Sequence, residues 1–207
     1  MGRWTEICLT GRQQETVRFL TAYRVPKMTI KTAGPATSYF HQWHHICRNG
    51  QPIPDPRQQL LQDLSNHIKM HSNSQTGMVI MMDANESLQT RSSQLSKWSN
   101  DNSLIDIHLS LHDHPSEIST YLRGHHRLDY IFVTSNLALY VMKSGILPYH
   151  FLTNTDHCCL NLDIDLQRFL RCQLPTVSSM STRKLNSTNP RGFTPVSYTH
   201  LTLPTIA

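Results

Sequence analysis

An unbroken apolar run, Met78 to Met82, ends abruptly in Asp83, Ala84, Asn85 and Glu86. A short run without alternation reads as a strand covered on both faces, so its polar end lies where the strand leaves the core. Strand alternation carries Asp83 and Asn85 to one side, about 7 Å apart along the backbone. That spacing suits two groups sharing one phosphate or water. Asp and Asn are also turn formers, and the stretch by itself reads more readily as a strand ending in an Asx turn.

The pattern on either side predicts an α/β chain. Trp4 to Thr10 alternates, Gly11 and Arg12 open a polar turn, and Val17 to Tyr23 is a second apolar run, together a β-hairpin. Tyr23 and Arg24 stand at a strand exit before Pro26, which disfavours helix at Val25. Residues 27–54 carry Gly34, Pro35, Gly50, Pro52 and Pro54 without a sustained period, and a long irregular surface loop is expected there. Asp55 as N-cap and Pro56 at the first position start a helix, and Leu60, Leu61, Leu64 and Ile68 form its apolar stripe over a sheet as far as His71. A short helix from Ser92 to Asn100 turns Leu95 and Trp98 inward, and Leu104 to Leu109 reads as a strand containing Asp106. A loop at His112 to Glu117 precedes a strand from Leu128 to Val133, with Asp129 one residue past its start. Leu137 to Gly145 fits helix or strand. The last patterned segment, Thr155 to Asp165, opens with Asp156 and His157 and continues as a strand with Cys158, Leu160, Leu162 and Ile164 on one face. Asp129, ionisable within an aromatic and β-branched strand, needs a partner: an Arg such as Arg127 in a structural salt bridge, or other groups of a site.

Composition narrows this little. The 207 residues suffice for one domain with a tail. No apolar run approaches the ~20 residues that span a bilayer, and the N-terminus lacks a signal-peptide pattern, so the expectation is a soluble intracellular protein without a membrane partner. Five cysteines without CxxC spacing suggest neither a disulfide framework nor a zinc knuckle. His41, His44, His45 and Cys47 are zinc-ligand types, but no second ligand pair stands at a recognisable spacing. The net charge of +5 lies in the tail: residues 1–166 hold 14 Lys and Arg against 14 Asp and Glu, whereas 167–207 hold five Lys and Arg against none. The basic balance therefore does not by itself indicate a nucleic-acid site in the folded part.

In order along the chain stand AYR at 22–24, MDAN at 82–85, RLDYIF at 127–132 and TDHCCL at 155–160. This series resembles the endonuclease/exonuclease/phosphatase superfamily, whose signature is a Tyr at a strand end, a DxN motif, an xDYI motif and a terminal SDH. GRWTE, FLTAYRV, the His-rich segment and RLDYIFVT are most similar to the endonuclease domains of non-LTR retroelement polyproteins. The resemblance implies the DNase I-like fold, an α/β sandwich of two packed mixed sheets flanked by helices, with residues 1–166 as the C-terminal portion of such a domain and its first strands missing. It implies that Asp83 orients or deprotonates the attacking water, Asn85 holds a phosphate oxygen and that water, and Asp129 hydrogen-bonds His157. Asp129 would thereby favour the imidazolium facing the scissile phosphate, while Tyr23 contacts the phosphate. Asp156 would bind a divalent metal, Mg2+ or Mn2+, whose principal Glu ligand in the family lies well upstream of the Tyr and has no counterpart here. Gln14 and Glu15 look like the family's QE pair but fall in the predicted hairpin turn and are not assigned. Met82 replaces the usual Gly, and Thr155 replaces Ser while keeping the hydroxyl.

The activity so implied is metal-dependent nicking of DNA by the parent protein, with this fragment inactive alone and a downstream reverse transcriptase as a possible partner domain. Three other readings stand beside it. One is a phosphatase of inositol lipids or small phosphoesters on the same fold. The others are a catalytically dead remnant or binding module, and a zinc module on His41, His44, His45 and Cys47. Residues 167–195, basic and rich in Ser, Thr and Pro, read as a linker. VSYTHLTLPT at 196–205 reads as the in-frame translation of a transposase-type sequencing adapter, which makes 196–207 a non-native tail.

Overall fold

The computed structural model describes residues 3–48, 55–112, 118–148 and 155–172. The loop at 113–117 and the linker and tail beyond Cys172 lie outside them. The elements are β1 (Trp4–Thr10), β2 (Thr16–Tyr23), α1 (Ser38–Arg48), α2 (Pro56–His71), β3 (Thr76–Asp83), α3 (Gln94–Asp101), β4 (Leu104–Asp106), α4 (Ile107–Leu111), β5 (Asp129–Thr134), α5 (Ser135–Ala138), β6 (Val141–Leu147), β7 (Cys159–Ile164) and α6 (Leu166–Phe169). Five strands form a mixed sheet in the order β1-β2-β3-β5-β4, in which only β2 and β3 are parallel; β6 and β7 pair antiparallel as a second sheet.

The unbroken apolar run of β3 is explained by cover on both faces. Met78, Ile80 and Met82 point with Leu20, Tyr130 and Phe132 into a core roofed by Leu60, Leu61, Leu64 and Ile68 of α2 and Leu95 and Trp98 of α3. Val79 points the opposite way, with Val17, Ile131 and Val133, toward Leu137, Phe169, Leu170 and the side chains of β6 and β7. The folded part thus draws on Phe169 and Leu170, past the last strand. At the hairpin turn, Gly11 lies against the carbonyl of Leu170, where a Cβ would collide with backbone. No described helix is long and apolar enough to cross a membrane.

Two elements differ from their sequence expectation. The stretch expected to be irregular contains α1, whose Tyr39, Gln42 and Ile46 are buried at helical spacing. Its start is fixed by Thr37, whose hydroxyl accepts the Phe40 N–H at 3.2 Å and donates to the Gly34 carbonyl at 2.8 Å. Nine of its eleven residues are polar or aromatic, which conceals that period. The run from Leu104 to Leu109 is not one strand: Asp106 ends β4 and caps α4, its carboxylate accepting the Leu109 N–H. Asp is a strong N-cap, and here the local hydrogen bond overrides the apolar alternation. The ambiguous stretch after Leu137 resolves into the end of α5 and then β6.

Candidate active site

Tyr23, Asp83 and Asp129 lie side by side on three neighbouring strands. Tyr23 pairs with Asp83 across β2 and β3, and Asp83 with Asp129 across β3 and β5, so all three share one face at one end of the sheet. His157, just before β7, reaches over that face, and its Nδ1 stands 2.9 Å from Asp129 Oδ2. Asp129 thus pairs with His157, while Arg127, the other partner considered, bonds Asp106. Asp83, Asp129 and His157 offer ligand atoms that all lie within 4.8 Å of one another.

Asp83 ends its strand in an Asx turn: its Oδ1 accepts the Asn85 N–H at 3.1 Å, and Asn85 takes a left-handed φ of 46° that Asn tolerates. The turn and the site are one structure. The Asn85 side-chain amide donates to the Arg24 carbonyl at 2.8 Å. Asn85 braces Asp83 through its backbone N–H, and its amide nitrogen keeps a second N–H beside the one given to Arg24.

Behind this turn stands a buried ion network that the sequence did not disclose. Glu86 Oε2 receives Arg24 Nη1 at 2.5 Å and Arg57 Nη2 at 2.9 Å, and its Oε1 accepts Ser93 Oγ at 2.7 Å and the Leu95 N–H at 3.1 Å. Arg57 also donates to the Asn85 carbonyl at 3.3 Å, and the Arg24 side chain is wholly buried. Arg24 next to Tyr23 and Glu86 next to Asn85 were visible as polar residues at strand exits; their joining through a buried helix residue was not.

A second brace is Thr120, also wholly buried. Its hydroxyl accepts the N–H groups of Leu128 and Asp129 at 2.9 and 3.1 Å, and its carbonyl accepts the Cys158 N–H at 2.9 Å. One residue thereby ties the start of β5 to the His157 segment. The adjoining Tyr121 forms a β-bridge with His157 and lies 5.1 Å from it, ring to ring. Thr120→Val is expected to leave two buried N–H groups without an acceptor, lowering stability by about 1–3 kcal/mol in urea melts and shifting the His157 ring resonances. Unchanged melts and shifts would show that the brace is idle.

The electrostatics follow from burial and crowding. Burial, and next the charge of Asp129, push the Asp83 carboxyl up to about 6. Burial lowers the His157 imidazole, but the hydrogen bond and charge of Asp129, with Asp83 and Asp156, outweigh it and leave the value raised. Burial and the Asp83 charge raise the Tyr23 phenol, against a hydrogen bond with Ser38, the first residue of α1. Tyr23 is 40% exposed and does not line the cavity that opens at the carboxylates. Asp156 is exposed beside His157 and contributes only charge; its backbone carbonyl accepts the Leu122 N–H. Asp83 and Asp129 offer carboxylate oxygens within 4.8 Å of each other and of a His157 nitrogen, a donor set that fits a divalent cation, whereas Asp156 is not part of that converging group. His41, His44 and His45 fall on the exposed face of α1, and Cys47 lies one turn beyond His44 but about 160° around the helix from His45; among the described residues these four do not bring their ligand atoms together.

A cavity of about 250 Å³ opens at these carboxylates, lined also by Thr21, Met81, Ile131 and Cys158. Larger clefts of about 510 and 310 Å³ run along α3 among Ser, Gln and Lys side chains. Chemistry, not volume, marks the smaller one as the site.

No protein-family model and no curated protein matches the sequence. Solved structures do match. An AP endonuclease from Leishmania major superposes with a TM-score of 0.50 at 16% identity over 78% of this chain and 54% of that one. The 3'-5' exonuclease NExo from Neisseria meningitidis gives 0.51 at 16% identity over 77% and 64%. A structure of the 3' phosphatase NExo bound to a product DNA hairpin gives 0.50 at 16% identity over the same shares. The chain thus spans between 54% and 64% of the length of these structures. Five strands in a mixed sheet, a second sheet packed on it and these superpositions agree: the chain has the DNase I-like fold.

Proposed function

We propose that the domain to which this chain contributes hydrolyses phosphodiesters of DNA in a metal-dependent reaction, nicking the strand. The observation that carries this reading is the Asp129–His157 hydrogen bond set beside Asp83 at the end of the sheet. A carboxylate pushed up to about 6 is a competent base near neutral pH, so Asp83 takes a proton from the attacking water. Asn85 holds that carboxylate in place. The new bond forms between water oxygen and phosphorus as the opposite ester bond breaks. His157, kept protonated by Asp129, donates to a phosphate oxygen as negative charge builds there. Tyr23 supplies a further hydroxyl donor. A divalent cation such as Mg2+, when bound, neutralises phosphate charge; Asp156 and the carboxylates of the site are its proposed holders.

DNA as substrate is supported by the fold and by the Neisseria neighbour solved with a DNA hairpin. A non-LTR retroelement parent, with a reverse transcriptase downstream, is supported by the motif resemblance alone. Because the chain spans 54% to 64% of these structural neighbours and its second sheet has two strands among the described residues, it is expected to nick weakly by itself. Supercoiled plasmid incubated with Mg2+ tests this: the parent domain should convert it to open circles, and the 207-residue chain should do so barely. Efficient nicking by the chain itself, abolished by Asp83→Ala, would overturn the second expectation. No nicking by the parent domain would overturn the first. A phosphatase on the same fold is the second reading, favoured by the 3' phosphatase among the neighbours. Release of inorganic phosphate from 3'-phosphorylated DNA or inositol phosphates, without nicking, would select it.

A further inference from the structure

The histidine-rich helix α1 supplies nothing to the chemistry at Asp83, yet it starts against a residue of the candidate site: its first residue, Ser38, hydrogen-bonds Tyr23. At 100° per residue, His45 falls about 20° and His41 about 60° from Ser38 around the helix, with His44 at the edge of the same face. All three histidines are exposed, while Tyr39, Gln42 and Ile46 turn into the protein. Phe40 lies against His44 and His41, with ring centroids 6.0 and 6.1 Å apart. The folded part is neutral only on average, because residues 24–54 hold Arg24, Lys27, Lys31 and Arg48 and not one Asp or Glu. Lys27 and Lys31 are exposed in the segment that joins Tyr23 to α1. Among the described residues the histidines ion-paired with a carboxylate are His67 and His157, not these three. From the packed side, Asp55 and Arg57 at the start of α2 act on Tyr39.

We propose that this face of α1, together with Lys27 and Lys31, is a proton-tuned track for the DNA backbone, gripping the strand on the Tyr23 side of the site more tightly as pH falls. The inference rests on the reading of that site as one that acts on DNA. Exposed cations that no carboxylate neutralises hold phosphates and release their counterions. Lys27 and Lys31 supply fixed charge, and histidine is the side chain whose charge appears as pH falls from about 8 to 5. A neutral imidazole still offers one N–H to a phosphate oxygen, so the track persists at alkaline pH with less charge. His41 and His45 stand about 6 Å apart along the helix axis, which spreads that charge along the strand instead of focusing it on one phosphate.

The test is fluorescence anisotropy of labelled duplex DNA with the full chain, at pH 6 and pH 8 over a series of salt concentrations, with EDTA present to prevent cleavage. The logarithm of the binding constant should fall with the logarithm of salt more steeply at pH 6, the two slopes differing by about one to three. In the triple variant His41→Gln, His44→Gln, His45→Gln that difference should shrink by about one or more. In the triple variant His41→Lys, His44→Lys, His45→Lys the steep dependence should persist at pH 8. His157→Gln removes the imidazole of the site and should keep most of the difference, and the basic tail adds a background common to all variants. Because the three side chains are exposed, circular dichroism should show both triple variants folded. A pH difference undiminished in the Gln variant, or no binding at pH 6 in low salt, overturns the proposal. Nicking by the parent domain is read separately: its absence would remove the proposed reaction and leave the binding result standing, whereas binding indifferent to the α1 histidines would remove the track and leave the reaction.

Discussion

Replacing Glu86 by Gln should cost the fold about 3–5 kcal/mol, because it leaves two buried guanidinium groups without their countercharge. Arg24 has no exposed side-chain surface and Arg57 has 5%, so neither can turn to water for compensation. Gln keeps the size of the side chain and one acceptor oxygen, which confines the loss to charge. Glu86 itself is desolvated, which raises its carboxyl, but bonds from Ser93, the Leu95 N–H and Arg24 prevail and hold it down at about 2. The sign follows from linkage. A depressed folded-state value contributes stability that is present above the ordinary glutamate range and is lost as pH falls toward 2. The gap between the unaltered chain and Glu86→Gln should therefore be widest near neutral pH and narrow below about pH 4.5. Urea midpoints at a series of pH values measure it. A gap that is small at pH 7, or that does not narrow in acid, would show that the network does not carry this stability. Because Arg57 also holds the Asn85 carbonyl, the Asp83–Asn85 turn should lose order in the same variant.

Much of the scaffold was legible because burial leaves a period in the sequence. The helix with Leu60, Leu61, Leu64 and Ile68 inward, with its Asp55 cap, is α2, and the apolar run before Asp83 is β3, covered on both faces as its lack of alternation required. What escaped lacked that signature. α1 buries Gln42 along with Tyr39 and Ile46, and its exposed histidines dilute the period. Asp106 looked like a strand residue because the sequence does not show when a carboxylate turns back to cap the next helix. The site divides similarly. Asp83, Asn85, Asp129 and His157 stand at strand ends, where polar residues interrupt apolar runs, and the structure brings them together with Tyr23. Their supports were invisible for a physical reason: Thr120, Arg57 and Glu86 act through contacts between segments as far as 29 or more residues apart in the case of Arg57 and Glu86, and no local pattern encodes such a contact. At Asp83 the turn reading holds, and it does not exclude the other, since the carboxylate held in the Asx turn lies beside Asp129 and His157.

Replacing Asp129 by Asn should separate the electrostatic role of this residue from its place in the strand. The amide fits the same space and still offers an oxygen to His157 Nδ1, but it withdraws the charge that holds the imidazolium. Burial would then act on His157 with less opposition, and its value should fall below that in the unaltered chain. Asp83 should fall as well, from about 6 toward the ordinary carboxylate range, though not all the way, because burial is the larger cause of its elevation and the charge of Asp129 the second. Two linked groups should thus move in the same direction, as expected for a coupled cluster. Nuclear magnetic resonance titration of the His157 ring and the Asp83 carboxyl carbon reads both in the 207-residue chain, without any need for activity. The stability profile should change with them. A raised imidazole contributes stability that is complete below its ordinary value and fades as pH rises through the folded-state value, and that alkaline fading should shrink in the variant. In the parent domain the same substitution should slow nicking by roughly a hundredfold to ten-thousandfold at neutral pH, the scale of losing a positioned proton donor. A His157 titration superimposable on that of the unaltered chain would mean that the 2.9 Å contact does not govern its protonation, and the catalytic role assigned to the pair would fall with it.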